Sequence, residues 1–468
     1  MIRMLLKEIA EAIGSSAPAS EAKIPVRGVS IDSREMKPGD LFIAVQGARF
    51  DGHDFIGQAA IKGAGAFVCR RDKVGQLPGD VVIPRLVVDD TIEALGRLAT
   101  YYRREVMPAY TTVVAVTGSN GKTTTKRMID HVLGQSMKGR SSPRSFNNNI
   151  GVPLTILSGE ADDRYMIAEI GTNAPGEVAA LSAMVAPDIA VITSVGQAHL
   201  EGLSDLAGVA AEKASLLDHL RPEGLAVVDA DSPELEPLLE KAGGIRMVTF
   251  GTSQYAALRL TSVRGTMDRT TFELDGRYHM VLPMPGVCHA TNAAAAFAVA
   301  LEFGVGVDEI AKRLKGFTPP DGRTRVLTMG QMKVINDTYN ANPSSMLAAV
   351  NTLRQASGRR RVFIMGDMLE LGAASPGLHR DVVGAICRAG IEVLVAVGPQ
   401  TTEAVHSVAE TPGGVRFVCC DDVDAAGKVL PTILLPGDTV WIKASRAMQL
   451  DQLVDDLRIK LGKNAAVA

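Results

Sequence analysis

The strongest constraint on this chain is the segment TGSNGKTTTK at residues 117–126, which follows an apolar, β-branched run at 113–116. Such a run, ending at a glycine and continuing Gly-Lys-Thr-Thr, is typical of a strand followed by a phosphate-binding loop and a helix. The usual pattern has a glycine where this chain has Val116, so the loop is a variant of the form TGxxGKTT. The following helix is predicted over 126–133. A turn that only caps this helix is the alternative interpretation.

Each residue type in the loop suits a phosphate ligand. Gly118 and Gly121 let the backbone turn so that N–H groups point at phosphate oxygens. Lys122 can reach the terminal phosphates, and the hydroxyl of Thr123 can hold Mg²⁺. The loop therefore predicts a nucleotide ligand such as ATP.

Length and composition predict a globular protein of two to four domains. The 468 residues include 49 Lys and Arg against 52 Asp and Glu, a net charge of −3 without a basic run, which argues against nucleic acid as the main partner.

Residues 2–13 have apolar residues at helical spacing but are interrupted by charges, so neither a signal peptide nor membrane insertion is predicted. Five cysteines without CxxC spacing predict reduced, buried thiols and a cytoplasmic location. They are Cys69, Cys288, Cys387, Cys419 and Cys420.

The pattern along the chain predicts an α/β protein of three domains, at 1–108, 109–321 and 322–468. The first mixes short strands and helices. The second alternates strands and helices, which predicts a mostly parallel sheet covered on both faces, with an antiparallel insertion at the edge over 259–282. The Pro- and Gly-containing segment 317–322 is the best linker candidate. The third domain is predicted to be a doubly wound, Rossmann-like sheet.

Other polar residues lie at the ends of predicted strands. Glu169 ends the strand YMIAEI and could bind Mg²⁺ or cap the next helix. His199 also follows a strand, where a structural role is equally consistent with the pattern, and Lys213 alone would be read as a solvated surface charge. The loops 337–343 and 366–370 concentrate hydrogen-bonding groups after strands, which favours ligand binding, although plain turns remain the alternative.

Taken together, these residues resemble the Mur ligases, the ATP-dependent amide-bond-forming enzymes that build the peptidoglycan peptide. The resemblance covers essentially the whole chain. Departures are KASR where the family has KGSR, EKASL where it has AKGEI, and HATN in place of HNxxN around His289. The segments that carry the resemblance are TGSNGKTTTK (117–126), FNNNIGVPLT (146–155), EIGTNAPGEV (169–178), DTYNANPSSM (337–346), GDMLELG (366–372) and KASRAMQLD (443–451).

The resemblance implies an activity. DTYNANP with GDMLELG is similar to the family member whose acceptor is D-alanyl-D-alanine. It implies ATP-dependent ligation of that dipeptide to a UDP-N-acetylmuramoyl-tripeptide through an acyl phosphate, the last cytoplasmic step of peptidoglycan precursor assembly, serving cell shape and division. The first domain would bind the uridine end, the second ATP, and the third the dipeptide, in a monomer that closes during catalysis. Alternatives are ligases adding a diamino acid or glutamate and, from another class, an ATP-hydrolysing switch protein.

The resemblance also implies roles for individual residues. The catalytic residues would be Lys122, Glu169, His199 and Lys213. Two Mg²⁺ ions would be held by Thr123, Glu169, His199 and a carbamylated Lys213. ATP would be bound by Gly118, Ser119, Asn120, Gly121, Lys122, Thr123, Thr124, Asn149, Asn292, the interdomain Arg323 and the ribose-binding Asp337. Substrates would be bound by Ser33, near the uridine, and by Thr172, Asn173, Asn340, Lys443 and Arg446.

Overall fold

The computed structural model describes residues 3–47, 49–79, 81–408 and 414–465. Its first part contains a two-stranded antiparallel pair, β1-β2, and a four-stranded parallel sheet of order β3-β4-β5-β6. Helix α3 continues into a π-helical turn at Tyr102–Val106, which leads into the next part of the chain. The elements are β1 (Met4–Leu5), α1 (Leu6–Ile13), β2 (Pro25–Val26), β3 (Val29–Ser30), β4 (Leu41–Ile43), α2 (Ile56–Ile61), β5 (Ala66–Arg70), β6 (Arg85–Val88) and α3 (Thr91–Tyr101).

The middle part is built on a nine-stranded sheet of order β15-β14-β13-β12-β11-β10-β7-β9-β8. Its strands are parallel except at the edge, where β13, β14 and β15 pair antiparallel. The elements are β7 (Thr112–Thr117), α4 (Lys122–Leu133), β8 (Gly139–Ser141), α5 (Gly151–Leu157), β9 (Tyr165–Glu169), α6 (Glu177–Val185), β10 (Ile189–Ile192), α7 (Leu200–Leu203), α8 (Leu206–Ala214), β11 (Leu225–Asp229), α9 (Glu236–Lys241), β12 (Arg246–Gly251), β13 (Leu258–Gly265), β14 (Thr270–Leu274), β15 (Tyr278–Leu282), α10 (Cys288–Glu302) and α11 (Val307–Lys315).

The last part is a six-stranded sheet of order β16-β17-β21-β18-β19-β20, parallel except for β16. The elements are β16 (Arg325–Met329), β17 (Met332–Asp337), α12 (Pro343–Leu353), β18 (Arg360–Gly366), α13 (Ser375–Arg388), β19 (Val393–Val397), α14 (Pro399–Val408), β20 (Arg416–Cys420), α15 (Val423–Ile433), β21 (Asp438–Lys443) and α16 (Asp451–Ala465). Short 3₁₀ helices lie at Gly52–Phe55, Arg71–Gln76, Ser215–His219, Pro233–Leu235, Gly372–Ala374 and Arg446–Met448.

Strand β7 shows why the middle sheet is buried on both faces. Its side chains alternate between two cores, with Val113 and Ala115 in one and Val114 and Val116 in the other. The first of these cores also contains the apolar face of α3. The first and middle parts of the chain therefore share one hydrophobic core, which fixes their relative orientation.

The three-domain α/β architecture and the antiparallel edge insertion expected from the sequence are confirmed. Among the residues that the structure describes, no helix combines the length and hydropathy needed to span a membrane. All five thiols are free, but the prediction that all of them are buried is wrong. Cys288 at the start of α10 and Cys419 on the edge strand β20 are exposed, and Cys387 is half-buried. The predicted start of the helix after the phosphate loop is also wrong, because α4 begins at Lys122 and includes Thr123 to Thr125.

Candidate active site

The phosphate loop connects the carboxyl end of β7 to the N-terminus of α4. Gly118 and Gly121 have φ of 141° and 83°, conformations that favour glycine. A Cβ on Gly118 would overlap the hydroxyl of Thr193, and one on Gly121 would overlap the side-chain oxygen of Asn292. The loop thus needs both glycines for backbone conformation and for close approach, and the first turn of α4 presents its N–H groups to the cavity.

Lys122 folds back over this loop. Its Nζ donates to the carbonyl oxygen of Gly118 at 2.6 Å. Burial lowers the pKa of Lys122 to about 8, an effect that the nearby carboxylate of Glu169 opposes. An anionic phosphate would restore the full charge of this amine, as expected of a group placed to bind one.

Glu169 is almost completely buried at the end of β9, the strand beside β7. Its Oε1 accepts hydrogen bonds from Thr123 Oγ1 at 3.1 Å and from Asn147 Nδ2 at 3.2 Å. Its Oε2 lies 3.0 Å from Nζ of Lys126, which is fully buried. Lys126 Nζ also donates to the carbonyl oxygen of Ser142 at 2.9 Å, so this ammonium group is held in place. It binds Oε2 of the carboxylate, which leaves Oε1 on the side of Thr123 and the phosphate loop.

The third domain places cationic and aromatic groups opposite the loop. Arg323 donates to Thr123 Oγ1 at 3.2 Å, and its guanidinium lies 3.9 Å from the centroid of the Tyr339 ring. Asp337 forms a buried ion pair with Lys443 at 2.7 Å. Nζ of Lys443 also donates to the carbonyl oxygen of Asn340 at 3.0 Å, so β17 and β21 are joined at the cavity.

His289 and Asn292 lie near the N-terminus of α10 and contact each other. Asn292 Nδ2 is 3.1 Å from His289 Nδ1, and His289 Nε2 is 3.2 Å from Thr324 Oγ1. Burial lowers the pKa of His289 to about 4, so its imidazole is neutral at physiological pH. A neutral ring beside an amide offers hydrogen-bonding groups without charge, as a neutral ligand group requires.

His199 lies in the loop before α7 with φ of 57°, an uncommon conformation for a residue other than glycine. Its Nδ1 is 2.7 Å from Oε2 of Glu370, which belongs to the third domain. Asn120 of the phosphate loop also contacts that domain, through the side chains of Asn342 and Ser344. Middle and third domains are therefore in contact at two strand-end loops.

Lys213 is fully buried in α8, and its Nζ has no hydrogen-bond partner. Burial holds the pKa of this amine well below its usual range, and the charge of Lys122 lowers it further. The preceding residue, Glu212, accepts from Thr172 Oγ1 at 3.0 Å and from the backbone N–H groups of Gly176 and Val178, both at 2.8 Å. The reading of an isolated Lys213 as a surface charge is wrong, because α8 packs with this side chain inside.

Most of the expected site residues line one cavity of about 660 Å³ between the middle and third domains. Those that line it are Ser119, Asn120, Gly121, Lys122, Thr123, Thr124, Asn149, Glu169, Thr172, Asn173, His199, Asn292, Arg323, Asp337, Asn340 and Lys443.

Four expected residues do not line this cavity. Gly118 belongs to the loop but packs against Thr193 and Ser194, and Lys213 is fully buried in α8. Ser33 lies in the first domain, where its hydroxyl donates to Gln58 Oε1 at 2.5 Å. Arg446 pairs with Asp451 at 3.1 Å.

Sequence reasoning missed several residues that hold this site together. Asn147 lies within the segment FNNNIG and Tyr339 within DTYNANP. Both therefore belong to motifs of the family resemblance, but the sequence did not indicate a role for either side chain. Lys126 closes the TGSNGKTTTK segment, where its spacing of four from Lys122 places it on the same helix face. Glu370 ends the loop at 366–370 that the sequence marks as a candidate for ligand binding, but its contact with His199 could not be predicted, because that partner lies 171 residues earlier.

Comparison with protein families assigns three consecutive matches to this chain. Residues 25–103 match the Mur ligase family catalytic domain, residues 116–300 the Mur ligase middle domain, and residues 322–446 the Mur ligase glutamate ligase domain.

The chain is also similar to individual proteins over nearly its whole length. It is 33% identical to the UDP-N-acetylmuramoyl-tripeptide–D-alanyl-D-alanine ligase of Bacillus subtilis, covering 98% of this chain and 99% of that one. A crystal structure of MurF from Acinetobacter baumannii has 29% identity and a TM-score of 0.86, covering 97% and 98%. The MurF ligase of Thermotoga maritima in complex with ADP has 26% identity and a TM-score of 0.80, covering 94% and 99%.

Proposed function

This chain belongs to the Mur ligase family, and we propose that it joins D-alanyl-D-alanine to the terminal carboxylate of a UDP-N-acetylmuramoyl-tripeptide in a reaction driven by ATP. One observation carries the proposal. The phosphate loop and the third-domain loop at 337–343 line the same cavity, so a nucleotide and an acceptor bound by these loops would meet. The identity to the B. subtilis ligase over the full chain supports the choice of acceptor.

The chemistry would take two steps. The terminal phosphoryl group of ATP passes to the tripeptide carboxylate, giving an acyl phosphate and ADP. The free amine of the dipeptide then attacks the acyl carbon, a tetrahedral intermediate forms, and inorganic phosphate leaves as the amide bond is made. Lys122 from the loop and Arg323 from the third domain would neutralise charge on the transferred group from two sides, so catalysis is mostly positioning and electrostatics.

The residues present suit Mg²⁺. Thr123 and Glu169 place a hydroxyl and a carboxylate oxygen 3.1 Å apart, which is the hard oxygen donor set that this ion prefers. Since Nδ1 of His199 is engaged by Glu370, its Nε2 would be the ligand atom. Two bound Mg²⁺ ions, as expected from the family, would supply positive charge at the phosphates.

We propose that Lys213 is carbamylated. Its unpartnered, buried Nζ is the orphaned polar atom that such a modification would satisfy. Reaction of the neutral amine with CO₂ forms an N–C bond and releases one proton, so an uncharged amine becomes a carboxylate. That carboxylate would complete the donor set for a metal ion.

Further properties follow from the family. We propose that residues 1–108 bind the uridine end with Ser33, that 109–321 bind ATP, and that 322–468 bind the dipeptide with Asn340 and Lys443. Thr172, Asn173 and Arg446 would contact the substrates. The protein would act in the cytoplasm as a monomer.

The test is phosphate release by the purified full chain with ATP, Mg²⁺ and a UDP-N-acetylmuramoyl-tripeptide. D-alanyl-D-alanine should support release, whereas meso-diaminopimelate and glutamate should not. Phosphate release that is independent of any amine acceptor would contradict ligation. Repeating the assay with tripeptides that end in diaminopimelate or lysine identifies the third residue.

A further inference from the structure

A ring of side-chain hydrogen bonds joins the phosphate loop to the third domain. Nδ2 of Asn120 donates to Oγ of Ser344 at 2.9 Å, and that hydroxyl donates to Oδ1 of Asn342 at 3.0 Å. Nδ2 of Asn342 closes the ring by donating to Oδ1 of Asn120 at 2.9 Å. Each of the three side chains donates one hydrogen bond and accepts one within the ring. Because the nitrogen and the oxygen of each amide have different partners, the orientation of both amide groups is fixed.

Both ends of this ring belong to well-anchored backbone. The N–H of Asn120 donates to Oγ of Ser194 at 3.0 Å, and its carbonyl oxygen accepts from the hydroxyl of Thr193. On the other side Asn342 caps α12, because its Oδ1 accepts from the N–H of Ser345 at 2.9 Å. Displacing α12 therefore pulls on the loop residue that precedes Gly121 and Lys122.

We propose that Asn342 and Ser344 are positioning residues, which hold the phosphate loop in its nucleotide-binding conformation from the third domain. The inference rests on the proposed function only in taking the loop to bind a nucleotide. Because free-energy coupling is reciprocal, docking of the third domain strengthens nucleotide binding, and the nucleotide strengthens docking by the same factor. The loop at 337–343, proposed to receive the acceptor, would thereby be brought to the phosphates as the nucleotide binds.

The experiment measures ADP affinity by titration calorimetry on the full chain. Ser344→Ala breaks the ring and should weaken ADP binding about fivefold, the effect of one typical hydrogen bond. Ser344→Thr keeps the hydroxyl and should restore the affinity. Asn120→Ala combined with Ser344→Ala should bind no more weakly than Asn120→Ala alone, because both changes remove the same ring.

The matched control is Ser345→Ala, one residue further along the same helix turn. Its hydroxyl bonds to the backbone of Asn342 and takes no part in the ring, so this variant should lose thermal stability without losing ADP affinity.

In turnover, the KM for ATP of Ser344→Ala should rise more than its kcat falls. Wild-type affinity in Ser344→Ala, an equal loss in Ser345→Ala, or additive losses in the double variant would each overturn the inference. Because the calorimetric titrations use ADP as the sole ligand, a failure of D-alanyl-D-alanine to support turnover would contradict only the proposed function.

Discussion

The Nζ of Lys213 is buried without a hydrogen-bond partner, and burial keeps its pKa well below the usual range, which favours the neutral amine that reacts with CO₂. We expect enzyme prepared in CO₂-free buffer to release phosphate roughly tenfold or more slowly, and added bicarbonate to restore the rate. Lys213→Arg should be slow under both conditions. The control is Lys138→Arg, an exposed lysine paired with Glu160 and Asp162, which should respond like the wild type. Equal wild-type rates with and without bicarbonate would contradict carbamylation.

His289 gives a prediction about stability and pH. Burial lowers its pKa to about 4, whereas an unfolded chain has a value of about 6.5. Between these values the unfolded state binds more protons, so the free energy of unfolding rises with pH through this window and falls as pH drops towards 4. Between pH 6.5 and 4.5, the free energy of unfolding of His289→Gln should therefore fall by up to about 2 kcal/mol less than that of the wild type.

Urea unfolding at pH 4.5, 5.5 and 6.5 measures this effect. His379 is also buried with a lowered pKa, but it is present in both proteins, so the difference between them isolates His289. Parallel pH dependences of the two proteins would show that His289 does not titrate in this way.

At the scale of elements, Gly121 and Gly176 form a natural pair. Each is the N-cap of a helix, with φ of 83° and 86°. Alanine at either position should cost about 1–2 kcal/mol of stability because of its backbone conformation. Only Gly121→Ala displaces Asn292, since nothing lies within 4 Å of a Cβ on Gly176. We therefore expect a lower melting temperature for Gly121→Ala than for Gly176→Ala, and a large loss of ADP affinity in Gly121→Ala alone. Equal affinities would mean that the loop tolerates a Cβ.

Local sequence patterns predicted some of these elements and site residues but not others. The alternation of β7 and the glycines after it indicated a strand and a phosphate loop, and the strand-end rule placed Glu169 and His199 at one cavity. The start of α4 was not evident, because three threonines in succession are weak helix formers and only the loop geometry commits them to the first turn. The local pattern around Lys213 predicted a surface charge. Its burial depends on packing between elements that are distant in sequence, which no local pattern describes.

At the scale of the whole molecule, the two domain junctions differ in kind. The first domain shares a hydrophobic core with the middle domain through α3. At the cavity the third domain meets the middle domain through polar contacts, which include Arg323 with Thr123 and Glu370 with His199. Polar interfaces within a chain allow domain motion, so the third domain is the one that we expect to move. These contacts join residues 171 and 200 positions apart, which is why the sequence could not reveal them.

Glu370 tests this difference. Its carboxylate is 2.7 Å from Nδ1 of His199, and its carbonyl oxygen accepts from the N–H of Glu201 at 3.3 Å. Glu370→Ala removes the side-chain contact and should release the third domain, whereas Glu370→Gln keeps an acceptor and should have a smaller effect. Small-angle scattering should show a larger radius of gyration for Glu370→Ala, and compaction when an ATP analogue and the tripeptide are added.

The control for this experiment is Glu392→Ala. Glu392 is also a carboxylate of the third domain, but it pairs with Arg361 at 2.7 Å within that domain. Its loss should lower the stability of the third domain without changing the radius of gyration. An unchanged radius in Glu370→Ala, or equal expansion in Glu392→Ala, would show that the Glu370–His199 contact does not hold the domains together. The wild-type protein should compact less than Glu370→Ala on adding ligands, because its contacts already favour the docked arrangement.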